Sequence, residues 1–242
     1  MANLLIEVGN TAIKAAWTEG TTLGKTLRYQ GEKVRDFIEE VLEKEKPEVM
    51  VVASKNTISQ DEEYFLKEHC GHLIILDREH NQMLQRYEIP EYLSYDRAAS
   101  IIAVRYLFKG KNCTVFDFGT TLSVDFIDDD GQYKGGNISP GCRTRFKSLN
   151  RYSKVLPLVD TPVRIHKSGT SLQSSIESGV ISGIMFEIEG YIRRYPQNVV
   201  VFTGGDAIYF AKQMKNSIFV VSNLVLIGLA LITDEYVKKN LS

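Results

Sequence analysis

The stretch Leu4-Leu5-Ile6-Glu7-Val8-Gly9-Asn10-Thr11 is a short apolar run that closes on an acid, a glycine and two small polar residues. It reads as a β-strand entering a tight turn. The pattern returns half a chain later as Cys113-Thr114-Val115-Phe116-Asp117-Phe118-Gly119-Thr120-Thr121. Each copy leads into a second apolar run, 13–17 and 122–127, and then into an acidic turn, Glu19-Gly20 and Asp129-Asp130-Gly131. Two copies of acid-x-Gly-x-Thr in the same setting indicate an internal duplication.

Outward from these copies, strands and helices alternate. Residues 22–29 supply a third strand, and 34–45 carry Val34, Phe37, Ile38, Val41 and Leu42 at helical spacing. Residues 48–53 and 73–76 read as strands, with a helix over 61–70 between them. A helix over 96–107 places Ala99, Ile102, Ala103, Tyr106 and Leu107 on one face. After the second copy, 132–138 runs to Pro140-Gly141, a long helix spans 171–195, and a strand over 199–202 enters Thr203-Gly204-Gly205-Asp206. Residues 218–221 and a helix from 224, capped by Ser222 or Asn223, close the pattern. The expected fold is α/β, built as two duplicated halves. The polar, Pro-containing stretch 76–93 places the expected boundary so that the halves are 1–85 and 86–242.

The balance of 29 Lys and Arg against 30 Asp and Glu, a formal charge of −1, excludes the basic footprint of a nucleic-acid-binding domain. Hydrophobic residues at 43% and charged residues at 24% place the 242-residue chain among ordinary globular proteins. Three widely spaced cysteines, Cys70, Cys113 and Cys142, suggest neither a disulfide framework nor a zinc site but thiols in a reducing compartment. The start reaches Glu7 before any long apolar run, so no secretory leader is expected. The apolar stretch 218–232 is broken by Ser222 and Asn223, short of the roughly 20 residues a membrane helix needs. A cytoplasmic protein with no membrane or nucleic-acid partner is expected.

A strand–turn–strand with glycine lets backbone amides approach a phosphate. Asn10, Thr11, Thr120 and Thr121 can add hydrogen bonds to phosphoryl oxygens, and an acid at the strand end can hold a cation between phosphates. The Gly204-Gly205 turn suits close approach by a nucleoside. One such turn is ordinarily a plain hairpin; three, all at strand ends, point to nucleotide binding. The four histidines show no triad or zinc spacing, and His69 and His72 read as surface residues at a helix end. Arg143, Arg145, Lys147 and Arg151 read as a solvated helix face, with Phe146 the single aromatic among them.

Together the three turns resemble the ATP-binding superfamily of actin, hexokinase and heat-shock chaperones, with ribonuclease-H-like halves around a nucleotide cleft. Within it the chain is similar to the type III pantothenate kinases, also called the Bvg accessory factor family. The family pattern Asp-x-Gly-Asn-Thr-x-x-Lys resembles Glu7-Val-Gly-Asn-Thr-Ala-Ile-Lys14, and Tyr-x-x-Pro…Gly-x-Asp-Arg resembles Tyr87-Glu-Ile-Pro90-Glu-Tyr-Leu-Ser-Tyr-Asp96-Arg97. Asp-x-Gly-Thr-x-x-x-x-Asp resembles Asp117 to Asp125, followed by Gly135-Gly-Asn-Ile-Ser-Pro-Gly141, Ser175-Ile-Glu-Ser-Gly-Val180 and Thr203-Gly-Gly-Asp-Ala207. Three positions depart: Glu7 stands for Asp, Ser94 for Gly, and Leu172 for a substrate-touching Thr, whose hydroxyl Thr170 or Ser171 can supply.

The resemblance implies transfer of the ATP γ-phosphoryl group to the primary hydroxyl of pantothenate, the first step toward coenzyme A. It implies ATP contacts at Glu7, Val8, Gly9, Asn10, Thr11, Ala12, Ile13, Lys14, Gly119, Thr120, Gly204 and Gly205. Glu7 would hold Mg²⁺ and Asp117 a monovalent cation, K⁺ or NH₄⁺. Asp96 would be the base, with Tyr87, Ser94, Tyr95, Arg97, Thr170 and Ser171 around pantothenate. Without the resemblance, Asp96 reads as an N-terminal helix acid beside an Arg, and Lys14 as a solvated strand charge. A homodimer with composite sites is also implied. The apolar stripe Ile176, Val180, Ile184, Ile188 and Ile192, widened by Ile181, Met185 and Phe186, offers it a face, or else packs within its own half. A non-catalytic nucleotide-binding regulator and a sugar kinase of the superfamily are the alternatives.

Overall fold

A computed structural model of the chain describes residues 2–31, 33–43, 45–80 and 82–241. The chain forms two compact units: Met1–Leu107 with Asn223–Ser242, and Phe108–Ser222. The first unit contains β1 (Asn3–Val8), β2 (Ile13–Glu19), β3 (Thr22–Tyr29), α1 (Val34–Leu42), β4 (Val49–Ser54), α2 (Gln60–Glu68), β5 (His72–Leu76), α3 (Gln82–Gln85) and α4 (Tyr95–Leu107). The second contains β6 (Cys113–Phe118), β7 (Thr121–Ile127), β8 (Tyr133–Pro140), α5 (Cys142–Tyr152), α6 (Leu172–Arg194), β9 (Val199–Gly204), α7 (Ala207–Ala211) and β10 (Ile218–Val220). The last helix, α8 (Leu224–Asn240), returns to the first unit.

The duplication is complete at the level of topology. The first sheet has the order β3-β2-β1-β4-β5 and the second β10-β9-β6-β7-β8, the same arrangement written from the other edge. In each, the strand that carries the repeated motif is central, pairing antiparallel with its hairpin partner and parallel with the next strand.

In the first unit, alternate residues Leu4 and Ile6 of β1 and Met50 and Val52 of β4 pack against Phe37, Ile38 and Val41 of α1 and Phe65 and Leu66 of α2. The intervening residues Leu5, Val51 and Ala53 are buried as well. Here α4 and α8 contribute, packing against β4 and β1, so the parallel pair is covered as parallel strands require. α4 and α8 approach closely at Gly228, where a Cβ would stand 2.0 Å from the Ala99 carbonyl oxygen. This packing places α4 in one compact unit with β1–β5 and α8.

A local signal sets the start of α2. α2 starts on a capping box: Ser59 Oγ accepts from the Glu62 amide at 3.3 Å, and Glu62 Oε2 accepts from the Ser59 amide at 2.9 Å. α1 ends at Leu42, short of the expected 45, and residue 44 lies outside the described residues. Asn223 is the N-cap of α8 but makes no side-chain cap bond; its Nδ2 donates to Thr26 Oγ1 at 3.1 Å.

In the second unit, α6 buries Ile176, Val180, Ile181, Ile184 and Ile188 against Phe116, Phe118, Leu122 and Val124, with Ile192 and Met185 partly buried beside them. The stripe therefore belongs to the core of its own unit, and Phe186 alone of those residues is exposed. Cys70, Cys113 and Cys142 are buried and free.

Candidate active site

The first turn is built at the end of β1. The Gly9 amide donates to the Ala12 carbonyl at 3.0 Å, and Glu7 faces Lys14 across the hairpin. Lys14 Nζ lies 3.1 Å from Glu7 Oε2, with both side chains mostly buried. Lys14 is thus the partner of Glu7, not a solvated charge. Asn10 and Thr11 are exposed at the tip, free of the sheet and open to a ligand. The turn is tied to α4: the Tyr95 hydroxyl donates to the Val8 carbonyl at 3.1 Å. Tyr95 is buried, so it braces the turn.

Asp96 lies in the first turn of α4, 7% exposed. Its Oδ2 is 2.8 Å from Lys55 Nζ, and its Oδ1 accepts from the Arg97 amide at 3.1 Å. Burial by itself would raise the Asp96 pKa. The Lys55 ammonium, the Ser94 hydroxyl and the Arg97 amide together outweigh it and hold the carboxyl below its ordinary value. Ser94, the departure from glycine, thereby acquires a function: it steadies the carboxylate two residues on. Arg97 is buried beside Asp96. Tyr87 is held from two sides: its hydroxyl donates to Glu235 Oε2 on α8 at 2.6 Å, and its carbonyl accepts from Arg105 Nη1. Burial and the Glu235 carboxylate push its phenol up.

The second turn repeats the design in its own unit. The Gly119 amide donates to the Thr121 carbonyl at 3.0 Å. The Thr120 carbonyl accepts from the Gly141 amide at 3.0 Å and from Thr144 Oγ1 at 2.6 Å, which anchors the turn to the start of α5. Gly119 and Thr120 are exposed. Asp117 pairs in register with Thr203 of β9, beside the Gly204-Gly205 turn. Gly204 has φ +92, and a Cβ there would stand 2.4 Å from Asp117 Oδ1. Only glycine satisfies both demands. Asp206 follows, its pKa raised by burial against the opposing Arg143. Asp125, the closing acid of the motif, is buried and accepts from the Tyr133 hydroxyl at 3.0 Å, a role inside the sheet.

At the start of α6, Ser171 Oγ accepts from the Ser174 amide at 3.2 Å, and Ser174 Oγ accepts from the Thr170 and Ser171 amides. The Ser171 hydroxyl is engaged in this capping box, which leaves Thr170 the better candidate to replace the hydroxyl lost at the exposed Leu172. On α5, Arg143, Lys147 and Arg151 are solvated as expected, but Arg145 turns inward to Glu187 and the Pro140 carbonyl.

Sequence reasoning missed Lys55. The signal was present: a lone Lys directly after the all-buried strand Val49–Ser54, at the carboxyl end of a parallel pair where ligands of open α/β sheets gather. Among the described residues, no three His, Cys, Asp or Glu side chains are grouped to hold a metal, and no helix is long and apolar enough to cross a membrane.

The model of the type III pantothenate kinase family matches residues 3–194. A type III pantothenate kinase of Bacteroides fragilis is 36% identical over 232 residues, covering 94% of this chain and 95% of the relative. Two solved structures share the fold: the 2-hydroxyisocaproyl-CoA dehydratase activator of Clostridium difficile with bound ADPNP (TM-score 0.60, 14% identity, covering 100% of this chain and 97% of that one) and the ROK hexokinase of Thermus thermophilus (TM-score 0.54, 13% identity, 96% and 98%). The duplicated α/β fold is therefore the one found in these two structures. With a family match over most of its length and a relative above one-third identity along nearly all of it, the chain belongs to the type III pantothenate kinase family.

Proposed function

We propose that the residues assembled here carry out the family's reaction, ATP-dependent phosphorylation of pantothenate to 4'-phosphopantothenate, with Asp96 as the base. The observation that carries this assignment is the buried Asp96, paired with Lys55, on a helix braced directly to the Gly9 turn through Tyr95 and Val8. Phosphoryl transfer asks the protein mainly to align the reactants and neutralise charge. The turn at Gly9 offers amides and hydroxyls suited to phosphate oxygens; in its own unit the turn at Gly119 offers the same, beside a Gly204-Gly205 turn suited to a nucleoside. Asp96 takes the proton of the attacking hydroxyl, Arg97 and Tyr87 shape the pantothenate pocket, and Thr170 supplies the hydroxyl that Leu172 lacks.

Glu7 fits a Mg²⁺ role, because Mg²⁺ commonly binds one or two carboxylates together with phosphate oxygens and waters. Bound there, the ion would supply charge neutralisation to the phosphates, and Glu7, held by Lys14, would be the carboxylate that binds it. Asp117 fits K⁺ or NH₄⁺ in the same way, as a half-buried carboxylate beside two glycine turns. Turnover is therefore expected to be faster in K⁺ or NH₄⁺ than in Na⁺ alone. Equal initial rates in the three chloride buffers would remove Asp117 from the cation site.

The reading includes a cytoplasmic homodimer. The homodimer is supported by the exposed apolar group Leu149, Tyr152 and Leu172, which lines one groove between α5 and α6. A dimeric mass by sedimentation at micromolar concentration is expected, and a monomer there would exclude composite sites. The decisive experiment for the reaction is ADP release with pantothenate against hexoses as acceptor. Release that depends on pantothenate supports it; release with hexoses only, or with neither, defeats it.

A further inference from the structure

Lys55 has so far served only as the ion-pair partner of Asp96, its ammonium 2.8 Å from Asp96 Oδ2. It is the first residue after β4, and β4 runs parallel to β1 with Ser54 beside Val8. The sheet therefore delivers Lys55 to the same edge from which the Gly9 turn emerges. Its side chain is 34% exposed and that of Asp96 11%, so the pair sits where solvent and ligand reach it.

We propose that Lys55 is a further residue of the phosphoryl-transfer site, holding the Asp96 carboxylate in place as an anion and setting its ammonium against the oxygens of the phosphoryl group in transfer. This rests on Asp96 being the base. A base takes its proton across about 2.6–3.2 Å. A nitrogen in hydrogen-bond contact with that base therefore lies within a few ångströms of the attacking oxygen. Lysine suits the position because its ammonium is a compact charge on a flexible stem, able to follow a phosphate without bidentate geometry. In the step, the acceptor hydroxyl gives its proton to Asp96 and its oxygen forms a bond to the γ-phosphorus. The bond from that phosphorus to the bridging oxygen breaks, and its electron pair leaves with ADP. Lys55 stays protonated throughout.

Lys55 approaches from the end of β4, and Arg97 lies on its own helix with the Ser94 hydroxyl before it. Glu7 of β1 is engaged by Lys14, and Glu235 of α8 by Tyr87 and Lys239.

The test uses the full chain in pantothenate-dependent ATP turnover. Lys55→Met is expected to lower kcat about 10–10²-fold, the effect of one charge-assisted hydrogen bond lost, and to move the acid limb of kcat/KM to higher pH. Lys55→Arg is expected to recover part of the rate. Lys55→Gln keeps a donor for Asp96 without the charge, and serves if Lys55→Met does not fold. In an Asp96→Asn background the same Lys55 substitution is expected to cost less than in wild type. A neutral Lys55 variant with wild-type kcat and an unmoved acid limb, or with equal cost in both backgrounds, overturns the inference alone. Absence of pantothenate-dependent turnover in the wild-type chain, or wild-type kcat in Asp96→Asn, overturns the assignment of the site and the inference with it.

Discussion

Asp96→Asn is expected to lower kcat by about 10²–10⁴-fold, the usual contribution of a general base, while nucleotide affinity stays near that of the wild type. The amide preserves the shape of the carboxyl group and can still accept from the Arg97 amide, so α4 keeps its first turn. What it lacks is an anionic oxygen to take the proton. Lys55 is partly exposed, so its charge stays in contact with solvent when the carboxylate is lost. Steady-state kinetics together with a nucleotide titration separate the two effects, and a variant with near wild-type kcat would strip Asp96 of its role. The same carboxyl links stability to pH. Its folded pKa lies below the ordinary value, so its stabilising contribution is present above the ordinary carboxylate pKa. That contribution is lost as the pH falls through the depressed folded value. Asp96→Asn should flatten that acid-side loss in thermal melts.

Gly204→Ala is expected to damage both fold and cation dependence. The backbone at φ +92 costs a non-glycine residue on the order of 1–3 kcal/mol. The added methyl would also stand 2.4 Å from Asp117 Oδ1 and 2.6 Å from the Phe118 amide nitrogen and carbonyl oxygen. Overpacking of that kind typically costs about 1–3 kcal/mol. In a chain of this size each kcal/mol shifts the melting midpoint by roughly 2–4 °C, so a fall of several degrees is expected. Because the nearest atom belongs to Asp117, the surviving protein should show a raised KM for ATP and an altered response to K⁺. An unchanged melting midpoint would mean that the turn relaxes without strain and that Gly204 is dispensable.

Much of this architecture could be read from local pattern. Acid-x-Gly-x-Thr at the end of an apolar run is a signal contained in a dozen residues, and its recurrence announced two sheets of the same order. Asp96 and Arg97 were marked as site residues by the family resemblance alone; local pattern read them as an acid and an arginine opening a helix. What escaped was carried by pairings distant in sequence. Tyr87 meets Glu235 across 148 positions, and nothing near either residue marks the other. Lys55 looks like an ordinary loop lysine until β4 is laid beside β1 and α4 is packed over them. The polar segment 142–152 reads as a charged surface, yet Arg145 turns from it to Glu187 because α6 presents a carboxylate there. The stripe on α6 was ambiguous, since periodicity specifies an apolar face but not which surface covers it.

The return of α8 to the first unit bears on how the protein comes into being on the ribosome. The second unit is continuous, and every residue of its sheet has been synthesised by Ser222. The first unit, although begun earlier, waits for the last helix to cover β1 and to close on α4 at Gly228. Until then its central parallel pair leaves apolar side chains uncovered, the condition in which nascent chains aggregate. Vectorial synthesis thus reverses the order of the domains: the half begun second can finish folding first, and the half that carries Asp96 is completed only by residues made after it.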